Sequence, residues 1–555
     1  MTFASLRTHA AAWLKRWVHL WPFPLAVLAV TGPWLAPGYL FFTDFAVGPY
    51  SRFSWPTIGA PGKALMHVVG AVTSNDVGQT VFLVALCAAL LAGGYRLARA
   101  FTDDKTVAVV AGLFFLFNPF VYDRFGYGQV WMIASVACMA LAFASACDWT
   151  RDPAGKRWAI FRALAWAGLS VHFTPHAAYL LAPLALAWLV WSVRETVAAG
   201  TAKDIWRAAI VPVLLGLAAA AVMNLNWVWP SGGGGGGGLW ISTEEITWHH
   251  FQVFRTAGET AFDASARVAA LAGFWGAAQH RYQDFTAEPG WMSAFLLSVP
   301  LLAAGWWQGM RDPRRRWLAW GTLAAAFVSF LLALGLASAP TEALTRFLFA
   351  HAPGYSGMRE TQKWAAVMLV CYVVWLTWGL AWLRTRTWVR GWRAALTAFV
   401  AAVMIAQAPL LAWGLHGAFT PRPYPDDWQE LAVWLEERGC DGTIVFLPWH
   451  MYMAFRWIGP APVIRPTAAF PCRMLGTSDM EWGGVEVIER GAQGEVAAWV
   501  KAQGKTDVLA DPDIDIRLIV LAKEADWQRY AWLANVPELR GVFDTPTLRV
   551  YEVVR

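Results

Sequence analysis

Eleven apolar runs separated by short polar connections organise the first 415 positions: roughly 19–42, 78–97, 105–121, 128–147, 158–174, 177–193, 207–229, 291–309, 317–338, 364–383 and 394–415. Each approaches the roughly 20 residues an α-helix needs to cross a bilayer, with 105–121 and 158–174 short. The pattern changes after His416. Asp426 to Arg438 carries Trp428, Leu431, Val433, Trp434 and Leu435 at helical spacing, and Thr443–Pro448 reads as a buried strand bounded by Gly442. Val496–Gln503 predicts a helix, Arg517–Ala522 a second buried strand and Thr547–Val554 a last one. The expected fold is an α-helical polytopic membrane protein of about 11 transmembrane helices (residues 1–415), followed by an α/β domain (residues 416–555).

Charge orients this plan. Arg7, Lys15 and Arg16; Arg96, Arg99 and Lys105; Arg151, Lys156 and Arg157; Arg194, Lys203 and Arg207; Arg311 and Arg314–Arg316; and Arg384, Arg386, Arg390 and Arg393 all fall on alternate connections. One side therefore collects the basic clusters and is expected to be cytoplasmic, together with the N-terminus. The opposite side receives the loops 43–77, 230–290 and 339–363, the short segments Tyr122–Gln129 and His172–His176, and everything after His416. A chain that elaborates this face is expected to work there, in the cell membrane with its C-terminal domain extracytoplasmic.

Composition agrees: of 555 residues 57% are hydrophobic and only 15% charged, 37 are Trp, and the mean hydropathy is +0.40. A soluble chain could not hide that much apolar surface. The net charge of +6 sits in the short inter-span clusters, which excludes a nucleic-acid partner. Met1–Trp17 is basic, and the run after it is long enough to span rather than to be cleaved as a signal. Cys87, Cys138, Cys147 and Cys371 read as small core residues, whereas Cys440 and Cys472 would face an oxidising compartment and could pair.

Three constellations lie on the elaborated face. Asp44 follows the first span; it is either a general base or a metal or substrate ligand, or a helix-end carboxylate that meets water or caps the short helix that follows. Asp123 and Arg124, flanked by Tyr122, Tyr127 and Gln129, either line a cavity mouth where Arg124 grips phosphate, or form a turn with a local ion pair. Arg359 and Lys363, either side of Glu360, are four apart and would place two cations on one helix face at the depth of a lipid phosphate, or act as interfacial anchors. The run Gly232–Gly238 predicts a tether or lid. Glu245 and His249 have helical ligand spacing but no third and fourth ligand, and Pro175 interrupts His172 and His176. No metal site is assigned, and a divalent cation stays open. Trp55, Trp240, Trp248 and Trp275 could stack on sugar rings, while most other Trp flank spans as anchors do.

Three segments carry a resemblance: Pro37–Asp44; Asn118–Tyr122 with Gly128–Gln129; and Met358–Lys363. Tyr424–Trp428 with Phe446–Tyr452 extends it into the C-terminal region. The chain resembles the GT-C superfamily of polytopic glycosyltransferases, and within it the bacterial proteins related to the arabinofuranosyltransferases of actinobacterial cell walls. The resemblance implies a GT-C-like multi-span module, an acid on the first outer loop and a polyprenyl-phosphate sugar donor; that acid maps to Asp44. Many such enzymes carry a paired acid here. This chain has Phe45 after Asp44, so a partner carboxylate must come from elsewhere, with Asp123 the first candidate.

The expectation is an inverting glycosyltransferase that moves sugar to an envelope glycan, lipid or protein acceptor. Asp44 and Asp123 would be catalytic, and Tyr122, Arg124, Gln129, Arg359, Glu360 and Lys363 would bind substrate. The C-terminal domain would bind acceptor or a protein partner. Two rivals stand beside it: a lipid-linked glycan transporter, which predicts charges deep in the spans where this chain has almost none, and a non-catalytic scaffold of an envelope assembly.

Overall fold

The computed structural model describes residues 18–53, 57–198, 200, 202–225, 246–288, 290–386, 392–479, 483 and 489–554. The glycine run 232–238, Glu245, Trp55 and Trp240 lie outside them. Every expected span corresponds to a helix or helix pair. Among the described residues six are long and apolar enough to cross a membrane, Val18–Leu35, Asn75–Arg99, Val130–Arg151, Ala177–Ala198, Arg316–Leu334 and Thr361–Thr385, or eight if each of two bent pairs counts as one. Ala159–Phe173 and Arg207–Met223 are shorter apolar helices, and Trp291–Arg311 is a 21-residue helix. The chain is a membrane protein.

The helices pack around Ala365–Thr385, in which every residue from Ala365 to Leu380 is buried. A helix apolar on all sides belongs at the centre of a bundle, and this one has no polar face to give to water. Trp291–Arg311, Lys105–Leu116 and Arg316–Leu334 pack against it.

Three expected spans change shape: 394–415 bends by 73° between Arg393–Ile405 and Pro409–His416, and two others change for a visible reason. The run 19–42 is helical only to Leu35; beyond it the chain is extended, and Tyr39 pairs its backbone with Arg422. Phe41 and Phe42 are apolar because they bury in protein: Phe41 joins the core of the C-terminal region beside Tyr424, and Phe42 stacks on Phe419 at 4.4 Å. The run 105–121 breaks by 41° at Asn118-Pro119. Asn118 caps a second helix, Pro119–Tyr127, by accepting from the amide of Val121 at 3.1 Å, and Pro119 takes the first helical position where no amide donor is needed. Tyr122, Asp123 and Arg124 therefore lie on a helix, not in a turn.

The C-terminal region carries a five-stranded sheet of order β4-β1-β5-β7-β6, with β1 (Thr443–Leu447), β4 (Met474–Leu475), β5 (Ile516–Ala522), β6 (Leu539–Asp544) and β7 (Leu548–Val553). β1 runs parallel to β4 and β5, and β7 is antiparallel to β5 and β6. Alternation along β1 sends Ile444 and Phe446 toward the helix Asp426–Arg438, packing with Trp428 and Leu431, while Val445 and Leu447 meet Val496 and Trp499 of Ala492–Lys501. Cys440 and Cys472 are joined by a disulfide. A hairpin of β2 (Tyr452–Phe455) and β3 (Gly459–Ile464) projects from the sheet and pairs Tyr452 with Ile464. Its Ile464 amide donates to the Thr43 carbonyl at 2.9 Å, which brings the hairpin onto the loop that carries Asp44.

Candidate functional site

Asp44 is fixed from three sides. Its own amide donates to the carbonyl of Tyr127, the last residue of Pro119–Tyr127, at 2.9 Å. That helix ends in paired backbone bonds, Gly128 N to Phe125 O and Gln129 N to Arg124 O, with Gly128 at φ +83°. Glycine is required there, since a Cβ would lie within 2.5 Å of the Phe42 Cβ and 3.2 Å of the Asp44 nitrogen. Finally, Tyr452 from β2 donates its hydroxyl to Asp44 Oδ1 at 2.8 Å, and Gln129 Nε2 reaches Oδ2 at 3.4 Å.

Gln129 links Asp44 to a second carboxylate. Its Nε2 lies 3.3 Å from Glu360 Oε2, while its Oε1 accepts from Arg124. Arg124 also donates to Glu360 Oε2 at 2.7 Å, in an ion pair with side chains 1% and 9% exposed. Lys363 lies 3.6 Å from Glu360 Oε1 and 3.2 Å from His176 Nε2. Burial opposes ionisation of Glu360, but Lys363, Arg124 and Arg359 together outweigh it and hold the carboxyl well below its usual range. His176 is pushed down by burial and by Lys363, so it is neutral. Its Nε2 lies 2.8 Å from the Gly357 carbonyl as well as beside the Lys363 ammonium, and its Nδ1 lies 2.6 Å from the Thr174 hydroxyl.

Asp44 is pushed up to about 6, chiefly by burial and further by Glu360; the bonds from Tyr452 and Gln129 and the charge of Arg281 pull the other way. Such a carboxylate is ionised at neutral pH yet basic enough to accept a proton.

Two cavities share Asp44 as part of their walls. One, of about 80 Å³, is bounded by Gln129, Trp275, Arg281, Arg359, Glu360 and Tyr452 among others. In it the Arg281 guanidinium lies 5.2 Å and 5.3 Å from the ring centres of Tyr127 and Tyr452, and Arg359 lies over Phe254. The other, of about 710 Å³, opens between the helix Ala60–Val72 and the segment 464–474. Among the described residues four cations line it, Arg52, Lys63, Arg465 and Arg473, against one carboxylate, Asp44. Burial lowers the Lys63 ammonium, whose Nζ donates to Thr57 and lies 5.9 Å from the centre of the Trp131 ring.

The sequence-derived residues are thus partly reunited and partly redistributed. Asp44, Gln129, Arg359 and Glu360 meet at one cavity, with Arg124 and Lys363 directly behind Glu360. Tyr122 and Asp123 do not join them: Tyr122 donates to the Gln283 carbonyl at 2.6 Å and Asp123 accepts from Tyr282 at 2.9 Å, pinning the segment 281–288 to the helix. The carboxylate that shares Gln129 with Asp44 is Glu360, and the ion partner of Arg124 is Glu360 rather than Asp123. Arg359 and Lys363 do not share an α-helical face either, because residues 355–364 form two 3₁₀ turns that break at Glu360 and point Lys363 inward. His250 caps Trp248–Val253 and His249 meets the Gly483 carbonyl, both structural uses. Tyr452, Arg281 and His176 were not assigned from sequence; Tyr452 stood in the Phe446–Tyr452 motif with no cue to its target.

Among the described residues no group of three or more His, Cys, Asp or Glu could hold a metal.

Fold and site together define a polytopic membrane protein with an α/β region docked on its first loop. No known protein family and no curated protein matches the sequence. Solved structures match over 98% of the chain: the arabinofuranosyltransferase AftD from mycobacteria at TM-score 0.60 and 14% identity, and a single-residue variant of it at 0.57 and 15%. The chain spans 40% of the first and 42% of the second. ArnT from Cupriavidus metallidurans in the apo state aligns over 98% of both chains at 14% identity, with a TM-score of 0.37.

Proposed function

We propose that the protein is an inverting glycosyltransferase that uses a polyprenyl-phosphate sugar at the extracytoplasmic edge of the cell membrane, with Asp44 as base. The observation that carries this reading is Asp44 at the junction of two cavities, one cation-rich and one aromatic. A transferase needs its base where two substrates meet. The larger cavity suits the donor: Arg52, Lys63, Arg465 and Arg473 supply positive charge for a phosphate, and the adjoining helix Ala60–Val72 exposes Val68 and Val72 toward the surroundings, as an interfacial helix does. The acceptor hydroxyl would approach Asp44 from the smaller cavity. Asp44 takes its proton, the alkoxide oxygen bonds to the anomeric carbon, and the bond from that carbon to phosphate oxygen breaks. Polyprenyl phosphate leaves with the electron pair, stabilised by the four cations.

This reading moves phosphate recognition away from Arg124 and Lys363, which are buried and committed to Glu360, while Arg359 keeps access to the smaller cavity. The likeness to AftD supports sugar transfer and suggests a pentofuranose donor. The alternate placement of basic clusters and the disulfide support the extracytoplasmic side for the loop of Asp44. The C-terminal region would then serve the acceptor or a protein partner.

The test is transfer from a polyprenyl-phosphate sugar in reconstituted vesicles. Asp44→Asn is expected to lower kcat by at least about 100-fold, in the range for loss of a general base, with the fold intact by thermal unfolding. Unchanged turnover in a folded variant would sink the assignment and leave the scaffold reading in its place.

A further inference from the structure

The helices Trp291–Arg311, Ala365–Thr385 and Arg393–Ile405 border an apolar groove of about 270 Å³ that shares no residue with the two cavities at Asp44. Glycines bring the first two helices together beside it. A Cβ on Gly305 would overlap the Trp375 carbonyl, and one on Gly379 the Leu301 carbonyl, so the backbones meet directly. Leu297 and Ala304 of the first helix and Leu396, Phe399 and Met404 of the third line the groove, with Trp382 of the second. Its one hydroxyl, that of Ser298, is already given to the Phe295 carbonyl at 2.7 Å. Phe399 is 58% exposed, so the groove lies on the outside of the bundle. From Leu396 to Met404 it follows its helix for about 12 Å, close to the half-thickness of about 15 Å of a bilayer's hydrocarbon core.

One end of the groove is cationic. Arg386 lies over the Trp382 ring, 4.7 Å from its centre, and Arg393 opens the helix that carries Leu396. Arg384 nearby is spent, donating from Nε to Asp104 at 2.7 Å and from Nη1 to Thr397 at 2.6 Å. Arg386 and Arg393 have no carboxylate in ion-pair reach among the described residues. The same end holds the N-terminus of a 13-residue helix whose N-cap, Trp392, supplies no side-chain acceptor, so the first-turn amides add positive potential. Trp392 is 73% exposed, as an aromatic anchor at the interface is. An apolar groove one leaflet deep that ends at two uncompensated cations fits an amphiphile with an acyl chain and an anionic head. A zwitterionic head would set its own ammonium against the same cations.

We propose that this groove is a binding site for an anionic glycerophospholipid of the leaflet on the side of the basic clusters. One acyl chain fills the groove, and the phosphate sits at the first turn of Arg393–Ile405 between Arg386 and Arg393. The site stands apart from Asp44 and does not depend on the transferase reading.

The experiment is native mass spectrometry of the full chain released from detergent micelles, titrated with dioleoyl phosphatidylglycerol or dioleoyl phosphatidylcholine. The first phosphatidylglycerol is expected to bind at least about tenfold more tightly than phosphatidylcholine. The double variant Arg386→Gln with Arg393→Gln brings the two lipids within about twofold and leaves phosphatidylcholine binding unchanged. Ala304→Phe, which fills the groove, weakens both lipids and preserves their ratio. Equal binding of the two lipids, or a preference that survives the double substitution in folded protein, overturns the proposal. Competition by inorganic phosphate or by a short-chain phosphatidylglycerol as effective as that by the dioleoyl lipid also overturns it, since the groove would then hold no chain.

Discussion

Asp44 combines burial with two donors, and the balance sets its pH behaviour. The carboxyl is raised to about 6, and a base acts only when ionised. With Asp44 as the proposed base, activity is expected to be complete above that value and to fall as pH drops through it, giving kcat/KM an acid limb near pH 6. Tyr452→Phe deletes the bond to Oδ1 that favours the anion, so the limb moves upward, while donor KM stays within about twofold because Tyr452 does not line the cation-rich cavity. A pH–rate profile of both proteins checks this; a limb that stays in place would show that Tyr452 does not tune Asp44.

The helix Pro119–Tyr127 and the turns 355–364 carry the buried charge. Arg124, 1% exposed, faces Glu360 across 236 positions of sequence. Taking away Arg124 removes the 2.7 Å charged hydrogen bond to Glu360 while Lys363 and Arg359 still face that carboxylate, so Arg124→Met is expected to lower unfolding free energy by about 1.5–3 kcal/mol in mixed micelles. Asp123→Asn keeps an acceptor for Tyr282 and should leave transfer within about threefold; a loss as large as that from Asp44→Asn would make Asp123 a catalytic partner after all. Sequence periodicity locates the helix Asp426–Arg438 to the residue and three of the five strands, β1, β5 and β7, within one, but not β4 and β6. It offers a turn as one of two readings where Pro119–Tyr127 is helical, because Asn118-Pro119 followed by two glycines has turn composition, and the same Asn and Pro equally start a helix. It put Arg359 and Lys363 on one face because spacing of four implies an α-helix, which the 3₁₀ turns there do not provide.

At the scale of the molecule, the site exists because the C-terminal hairpin docks on the first loop. The disulfide Cys440–Cys472 ties the end of the helix Asp426–Arg438 to the segment 464–474, which supplies Arg465 and Arg473 to the larger cavity. With 32 positions between its ends, its loss is expected to cost about 2–4 kcal/mol. Cys440→Ser should also raise donor KM more than it lowers kcat, since it frees the cation-bearing wall and leaves Asp44 anchored to Tyr127. Steady-state kinetics in vesicles distinguish the two effects.

The hydrophobic pattern alone determined a polytopic helical protein with an α/β region after it, because a bilayer and a buried sheet each impose a length and a period on the chain. It singled out Asp44 by position, since the resemblance needs an acid after the first span. It could not determine what surrounds that acid. Glu360, Tyr452, Arg281 and Trp275 lie far from Asp44 in sequence, and no spacing rule relates them. Only docking of the hairpin and the outer segments decided that Glu360, and not Asp123, meets Gln129 beside Asp44, and that Phe41 and Phe42 are apolar to meet protein rather than lipid. Local periodicity reports which surface is buried; what buries it is a property of the whole fold.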